Sequence, residues 1–124
     1  MDEAPKTTAL YEFHVRSGGK MVDFAGFRMP IQYSSIIEEH NAVRSGVGLF
    51  DLSHMGEFVV SGDEAVPFLQ RMTTNDISQV EVGQAQYTAI CNERGGIIDD
   101  CVVYRFEDHF LLVVNASNIE KDLE

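Results

Sequence analysis

Two adjacent acids, Asp99 and Asp100, interrupt the run GGIIDDCVVYRF, residues 95–106, which is otherwise made of strand-forming residues. Paired glycines suit a tight turn, so Gly95-Gly96 is expected to open a hairpin strand with both carboxylates near its entrance. An acid inside a buried strand is costly unless it is neutralised or hydrogen-bonded. A local rule broken inside a consistent element is where functional sites are expected. Neighbours on a strand face opposite sides, so the two acids cannot chelate one ion side by side or share one proton as a dyad. Asp100 falls in phase with Val102 and Tyr104, and Asp99 with Cys101, Val103 and Arg105. Spacing alone leaves open whether either acid does more than cap amides at a hairpin mouth, an ordinary role for Asp.

Other polar groups border the pair in predicted position. Tyr87 lies on the partner strand, Met55 follows His54 in a glycine-flanked loop, and Asn115 ends a later strand in phase with Val113. A carboxylate, a phenol and an amide among Met and Val would suit a flat heteroaromatic ligand with hydrogen-bonding edges. The same spacing also suits ordinary core for Met55, Tyr87 and Val113. Other constellations fail. Gly46-Val47-Gly48 lacks the third glycine of a dinucleotide fingerprint, because position 51 is Asp51. His14, His40, His54 and His109 have no paired spacing for zinc, and the two cysteines do not complete a site, so no metal is expected. Ser53-His54 has no catalytic geometry as a contiguous pair.

The elements that must position these groups follow in order. Thr7 or Thr8 could cap a helix to about Arg16, stopped by Gly18-Gly19. A strand near 20–24 leads into a partly extended stretch to Tyr33, in which Pro30 argues against a regular central strand. Ser35-Ile36-Ile37-Glu38 reads as a capping box for a helix to about Ser45, with Ile36, Ile37, Ala42, Val43 and Val47 as core contacts. A strand at 57–61, a helix at 64–73, strands at 86–93 and 97–106 and a strand at 110–115 complete the pattern. Ser117-Asn118-Ile119-Glu120 reads as a second capping box, whose helix would be cut within two turns. The chain is therefore expected to be the N-terminal part of something longer. Antiparallel hairpins with helices in separate groups indicate an α+β fold, an antiparallel sheet with helices packed on it.

The 124 residues suffice for one modest domain, and 44 % apolar residues suffice for a core. A net charge of −11 argues against nucleic acid and against an anionic membrane surface as partners. Cys91 and Cys101 are expected to be free thiols in a reducing compartment. With no secretory or transit pattern at the N-terminus and no long apolar run, a cytoplasmic location is expected.

Five blocks in order carry a resemblance beyond spacing: MVDFAGFRMPIQY (21–33), AVRSGVGLFDLSHMGEF (42–58), TNDIS (74–78), CNERGGIIDD (91–100) and VVNASNIEKD (113–122). Together they closely resemble the glycine cleavage system T-protein family, the aminomethyltransferases that use tetrahydrofolate. The resemblance implies that residues 1–124 are the N-terminal folate-binding region of a three-domain enzyme arranged around a folate channel, with the later domains absent. It implies transfer of the one-carbon unit from the aminomethyl-lipoyl arm of the H-protein to tetrahydrofolate, releasing ammonia and 5,10-methylenetetrahydrofolate, with no metal. By motif the catalytic aspartate falls on Asp100, and the folate contacts on Met55, Val59, Tyr87, Asp100, Val113 and Asn115. A glutamate and arginines that such enzymes use to grip folate come from later in the chain, so these residues alone are expected to be inactive. Related folate domains of a demethylase or of sarcosine and dimethylglycine dehydrogenases, or a non-catalytic folate-binding module, are the alternatives.

Overall fold

The computed structural model describes residues 4–124. The sequence suggests a frayed terminus over residues 1–6, of which 1–3 lie outside the described residues, whereas Lys6 begins a strand. Where length suggested one modest domain, the chain divides into two compact units, one ending at His54 and one running from Met55 to Glu124.

The first unit holds strand β1 (Lys6–Thr7), helix α1 (Tyr11–Arg16), strands β2 (Met21–Phe24) and β3 (Phe27–Pro30) and helix α2 (Ile36–Ser45). Its sheet has the order β1-β3-β2. Strands β2 and β3 form a hairpin whose two turn residues, Ala25 and Gly26, both have positive φ, 51° and 78°, the geometry that matches the twist of a two-residue hairpin. Pro30 does not prevent β3 from being central. Strand β1 pairs only Phe27 and Arg28, so the missing N–H of Pro30 falls beyond the shared ladder. That β1–β3 pairing is parallel, a departure from the purely antiparallel expectation.

Two caps differ from expectation. Helix α1 has no side-chain cap, because the Thr8 hydroxyl donates to Asp51 instead, at 2.8 Å. At α2, Ser35 does accept the Glu38 amide at 3.2 Å, but the returning carboxylate is Glu39, which accepts the amides of Tyr33 and Ser34 at 2.6 and 2.8 Å. The expected core contacts of α2 are not made: Ile36, Ile37, Val43 and Val47 are all exposed. The interior of this unit is largely polar, with Thr8, His14 and His54 buried beside Met29. His54 lies edge-on to Phe24 and Phe27, a packing role.

The second unit is an antiparallel four-stranded sheet in the order β4-β7-β6-β5, where β4 is Gly56–Ser61, β5 Ala85–Cys91, β6 Ile97–Arg105 and β7 His109–Val114. Helix α3 (Ala65–Met72) buries Ala65 and Leu69 against one face, as its apolar stripe suggested. There they meet Ile77, Ile90, Cys101, Val103, Phe110, Leu112 and Val114. A 3-10 turn at Ala116–Asn118 leads to helix α4 (Ile119–Leu123), which Asn118, not Ser117, precedes, without a side-chain cap. Helix α4 is held close by Gly56: a Cβ there would lie 2.6 Å from Cγ1 of Ile119 and 2.7 Å from Cγ2 of Val114. Both cysteines are free, as expected. Among the described residues no helix is long and apolar enough to cross a membrane.

Candidate functional site

The β5–β6 hairpin positions the two acids. Its loop is built by Asn92, whose Oδ1 accepts the amides of Arg94 and Gly96, both at 2.9 Å. Of the paired glycines only Gly95 has positive φ, 76°. The ladder then slips by one residue, with Cys91 opposite Ile97 and Ile90 opposite Asp99. This bulge leaves Ile97 exposed while Ile98 packs on the core beside buried Asp99. From Asp99 onward the alternation is regular. Asp99, Cys101 and Val103 face the core, and Asp100, Val102 and Tyr104 face away from it. The acids are therefore split between the two faces, in the phase the sequence suggested.

The face away from the core is laid out in rows by strand register. Glu57, Val113, Val102 and Tyr87 form one row across β4, β7, β6 and β5. Val59, Leu111, Tyr104 and Ala85 form the row beyond it. On the other side Asp100 pairs with Ala89, and Asn115 follows the last paired residue of β7. Met55, half-buried, precedes β4 at the same end.

The structure thus brings Tyr87, Asp100 and Asn115 together, with Val113 and Val102 beside them. Nδ2 of Asn115 donates to Oδ1 of Asp99 at 3.0 Å, to the Asp100 carbonyl at 3.3 Å and to Oδ1 of Asp100 at 3.4 Å. The Tyr87 hydroxyl holds its proton above the ordinary phenol range, first because the neutral hydroxyl can donate to the Asp100 carboxylate, then because that charge opposes a phenolate. Tyr87 is 65 % exposed, an aromatic face open to a ligand rather than core. Val59, also exposed, is not in this cluster: its row is that of Tyr104, four residues from Asp100, roughly 13 Å along the strand.

Beneath the face, Asp99 titrates low. Burial opposes its charge, but the Asn118 and Asn115 amides and the Asp122 carboxyl favour it by more. The Cys101 thiol is pushed up to about 11, chiefly by burial and then by the charges of Asp122, Asp100 and Asp99. Sequence reasoning missed Asp122 and Asn118, which reach Asp99 only because Gly56 lets α4 approach the sheet. It also left Val102 out of the site, although that residue was in phase with Asp100 and stands between Tyr87 and Val113.

Comparison with known proteins gives concordant matches. A family model described as the GCVT N-terminal domain matches residues 10–124. An aminomethyltransferase of Thermus thermophilus is 59 % identical over 119 residues, covering 95 % of this chain and 34 % of that protein. One of Bacillus mycoides is 58 % identical over 118 residues, covering 94 % and 32 %. The crystal structure of glycine cleavage system aminomethyltransferase T from Bartonella henselae superposes with a TM-score of 0.88 at 43 % identity, over 94 % of this chain and 33 % of that one. The chain thus spans about a third of the length of the relatives it matches.

Proposed function

The chain belongs to the GCVT N-terminal domain family, and on that premise we propose that it is the N-terminal, folate-side portion of a longer aminomethyltransferase. The reaction is transfer of the one-carbon unit from the aminomethyl-lipoyl arm of an H-protein to tetrahydrofolate. The carbon–sulfur bond to the lipoyl arm and the carbon–nitrogen bond to the departing ammonia break, and bonds from that carbon to N5 and N10 of the folate form. The arm leaves as a dihydrolipoyl thiol.

The observation that carries this reading is the convergence of Tyr87, Asp100 and Asn115 over a Val-lined sheet face. The donor set fits a folate. Exposed Tyr87 offers a stacking plane, and Val102 and Val113 give an apolar floor. The Asp100 carboxylate can accept from the N–H edges of a pterin or take up a proton released at an attacking nitrogen. The roughly 13 Å between the rows of Asp100 and Val59 suits an elongated ligand. Asn115 keeps the Asp100 carboxylate oriented, and Met55 closes the apolar border at the same end. This assigns Asp100 as the catalytic residue and Met55, Val59, Tyr87, Asp100, Val113 and Asn115 as folate contacts. A cytoplasmic location goes with this reading.

The test supplies the full-length protein with aminomethyl-loaded H-protein and tetrahydrofolate and follows ammonia and methylenetetrahydrofolate. Folate-dependent release of both, lost in Asp100→Asn, is the expected result. Folate binding without turnover would move the reading to a binding module.

A further inference from the structure

The mechanism above leaves unused one half-buried acid next to the site, Asp122. Both carboxyl oxygens of Asp122 and Oδ2 of Asp99 are buried without an amide, hydroxyl or cation in hydrogen-bonding geometry. The two side chains meet each other, Asp122 from α4 and Asp99 from β6. Lys121, next to Asp122, is drawn aside: its Nζ donates to the Ile98 carbonyl at 2.8 Å. Two carboxylates in contact under the sheet cannot both stay ionised cheaply, whereas one proton between them gives each an oxygen with a partner. Asp99 then keeps Oδ1 as the acceptor for Asn115, whose Nδ2 also touches Asp100.

We propose that Asp122 is a positioning residue for the folate site: it shares one proton with Asp99, and the closed pair holds the Asn115 amide against Asp100. This rests on the reading of Asp100 as the reacting carboxylate. The groups facing Asp122 are Asp99, Asp100 and the Cys101 thiol from β6 and Lys121 from its own helix. Burial, then contact with Asp99 and its charge, push the Asp122 carboxyl up to about 6, with Lys121 opposing and Asp100 adding to the rise. The pair therefore gains and loses its proton near pH 6. The protonated pair is the form that orders Asn115 and Asp100, so tetrahydrofolate binding draws in a proton.

The experiment uses the full-length protein, its Asp122→Asn and Asp122→Ala variants, and tetrahydrofolate as the probe. Calorimetry in buffers of different ionisation enthalpy reads proton uptake on binding. Infrared spectra read the C=O band of a protonated carboxyl. The wild type should take up a fraction of a proton near pH 7 and show, in the difference spectrum against Asp122→Asn near pH 6, the band of one protonated carboxyl. Asp122→Ala, which leaves Oδ2 of Asp99 without a donor, should weaken binding about tenfold. Asp122→Asn, whose amide donates to Asp99 permanently, should restore affinity and abolish the uptake. Unchanged affinity in Asp122→Ala, or uptake persisting in Asp122→Asn, overturns the proposal. So does a missing band. A wild type that shows the band but binds no folate overturns the functional reading and leaves the shared proton standing.

Discussion

Each compact unit of the chain buries a carboxylate in a polar network, Asp51 in the first and Asp99 in the second, and the two networks are finished differently. In the first unit Oδ2 of Asp51 accepts from the Thr8 hydroxyl and from Nε2 of His14, both at 2.8 Å, and Oδ1 accepts the Ser53 amide at 2.9 Å. A carboxylate only accepts, so Nε2 of His14 carries the proton, and in the neutral ring Nδ1 accepts from the Tyr33 hydroxyl at 2.6 Å. Burial works against the Asp51 charge, yet these donors hold its carboxyl well below the ordinary range. In the second unit three carboxylates crowd the end of β6, and three of their buried oxygens have no ordinary donor. A closed network is fully used in holding its loops. An open one keeps hydrogen-bonding capacity and charge for something else, and strand β6 aims one of its acids at an exposed face.

The largest expected effect is in the open network. Asp100→Asn in the full-length protein should reduce turnover by about 10²–10⁴-fold, the usual worth of a positioned acid–base group, with folate binding retained. Its neighbour should behave in the opposite way. Asp99→Asn replaces the charged acceptor of the Asn115 amide by a neutral carbonyl at a buried position and should lower local stability more than it alters the chemical step. Assays that found the two effects reversed would mean that the faces have been exchanged.

The closed network should yield the next largest effect. Asp51→Asn cannot accept from Thr8, His14 and Ser53 together as a charged group, and should cost about 2–4 kcal/mol in the first unit. Amide exchange across β2, β3 and α1 would read it. The wild type has a matching acid dependence. With a depressed native pKa, Asp51 contributes stability above the ordinary carboxylate range and loses it as the pH falls below that range. Equal acid sensitivity of wild type and Asp51→Asn would mean that the Asp51 charge does not hold the first unit together.

The contrast also explains what could be read from the sequence. The β5–β6 hairpin and the opposed faces of Asp99 and Asp100 were legible, because strand alternation is local and a carboxylate in it stands out. The bulge at Ile98 was not, since nothing in GGIID says where the ladder slips. The His14–Asp51 contact joins residues 37 apart and has no local signal. The apolar residues of α2 were expected in a core because an amphipathic pattern states a need for burial. It does not state that this chain supplies the covering surface, and Ile37 stays 73 % exposed. Asp122 was passed over for a similar reason: its neighbour is set by the approach of Ile119 to a glycine 63 positions away, a tertiary fact.

Tyr87 sharpens the contrast at moderate scale. Tyr87→Ala should weaken tetrahydrofolate binding by about 1–3 kcal/mol through lost stacking and a lost polar contact. Because Tyr87 is 65 % exposed, the fold itself should hardly respond. Loss of stability with unchanged affinity would return the residue to a packing role.

The smallest expected effect is the most specific to an unfinished network. Asp122 is raised from an ordinary 3.8 to about 6, first by burial and then by Asp99. Between those two values the folded chain holds a proton that the unfolded chain has released, so stability falls as pH rises through that window and is level above it. Replacing Asp122 by Asn removes the titration and keeps a donor to Asp99. The full shift would correspond to about 3 kcal/mol, reduced by the Lys121 charge and by solvent at the helix end, so a gain on the order of 1 kcal/mol above pH 6 is expected. Asp99, whose low titration rests on the Asn118 and Asn115 amides before Asp122, keeps a donor from the new amide in the variant. Amide exchange at the start of β6 and along α4 should show the variant better protected at pH 7, with the advantage closing towards pH 4. A variant less protected than the wild type at pH 7 would mean that the second network, too, is closed, and that the two units differ only in which side chains close them.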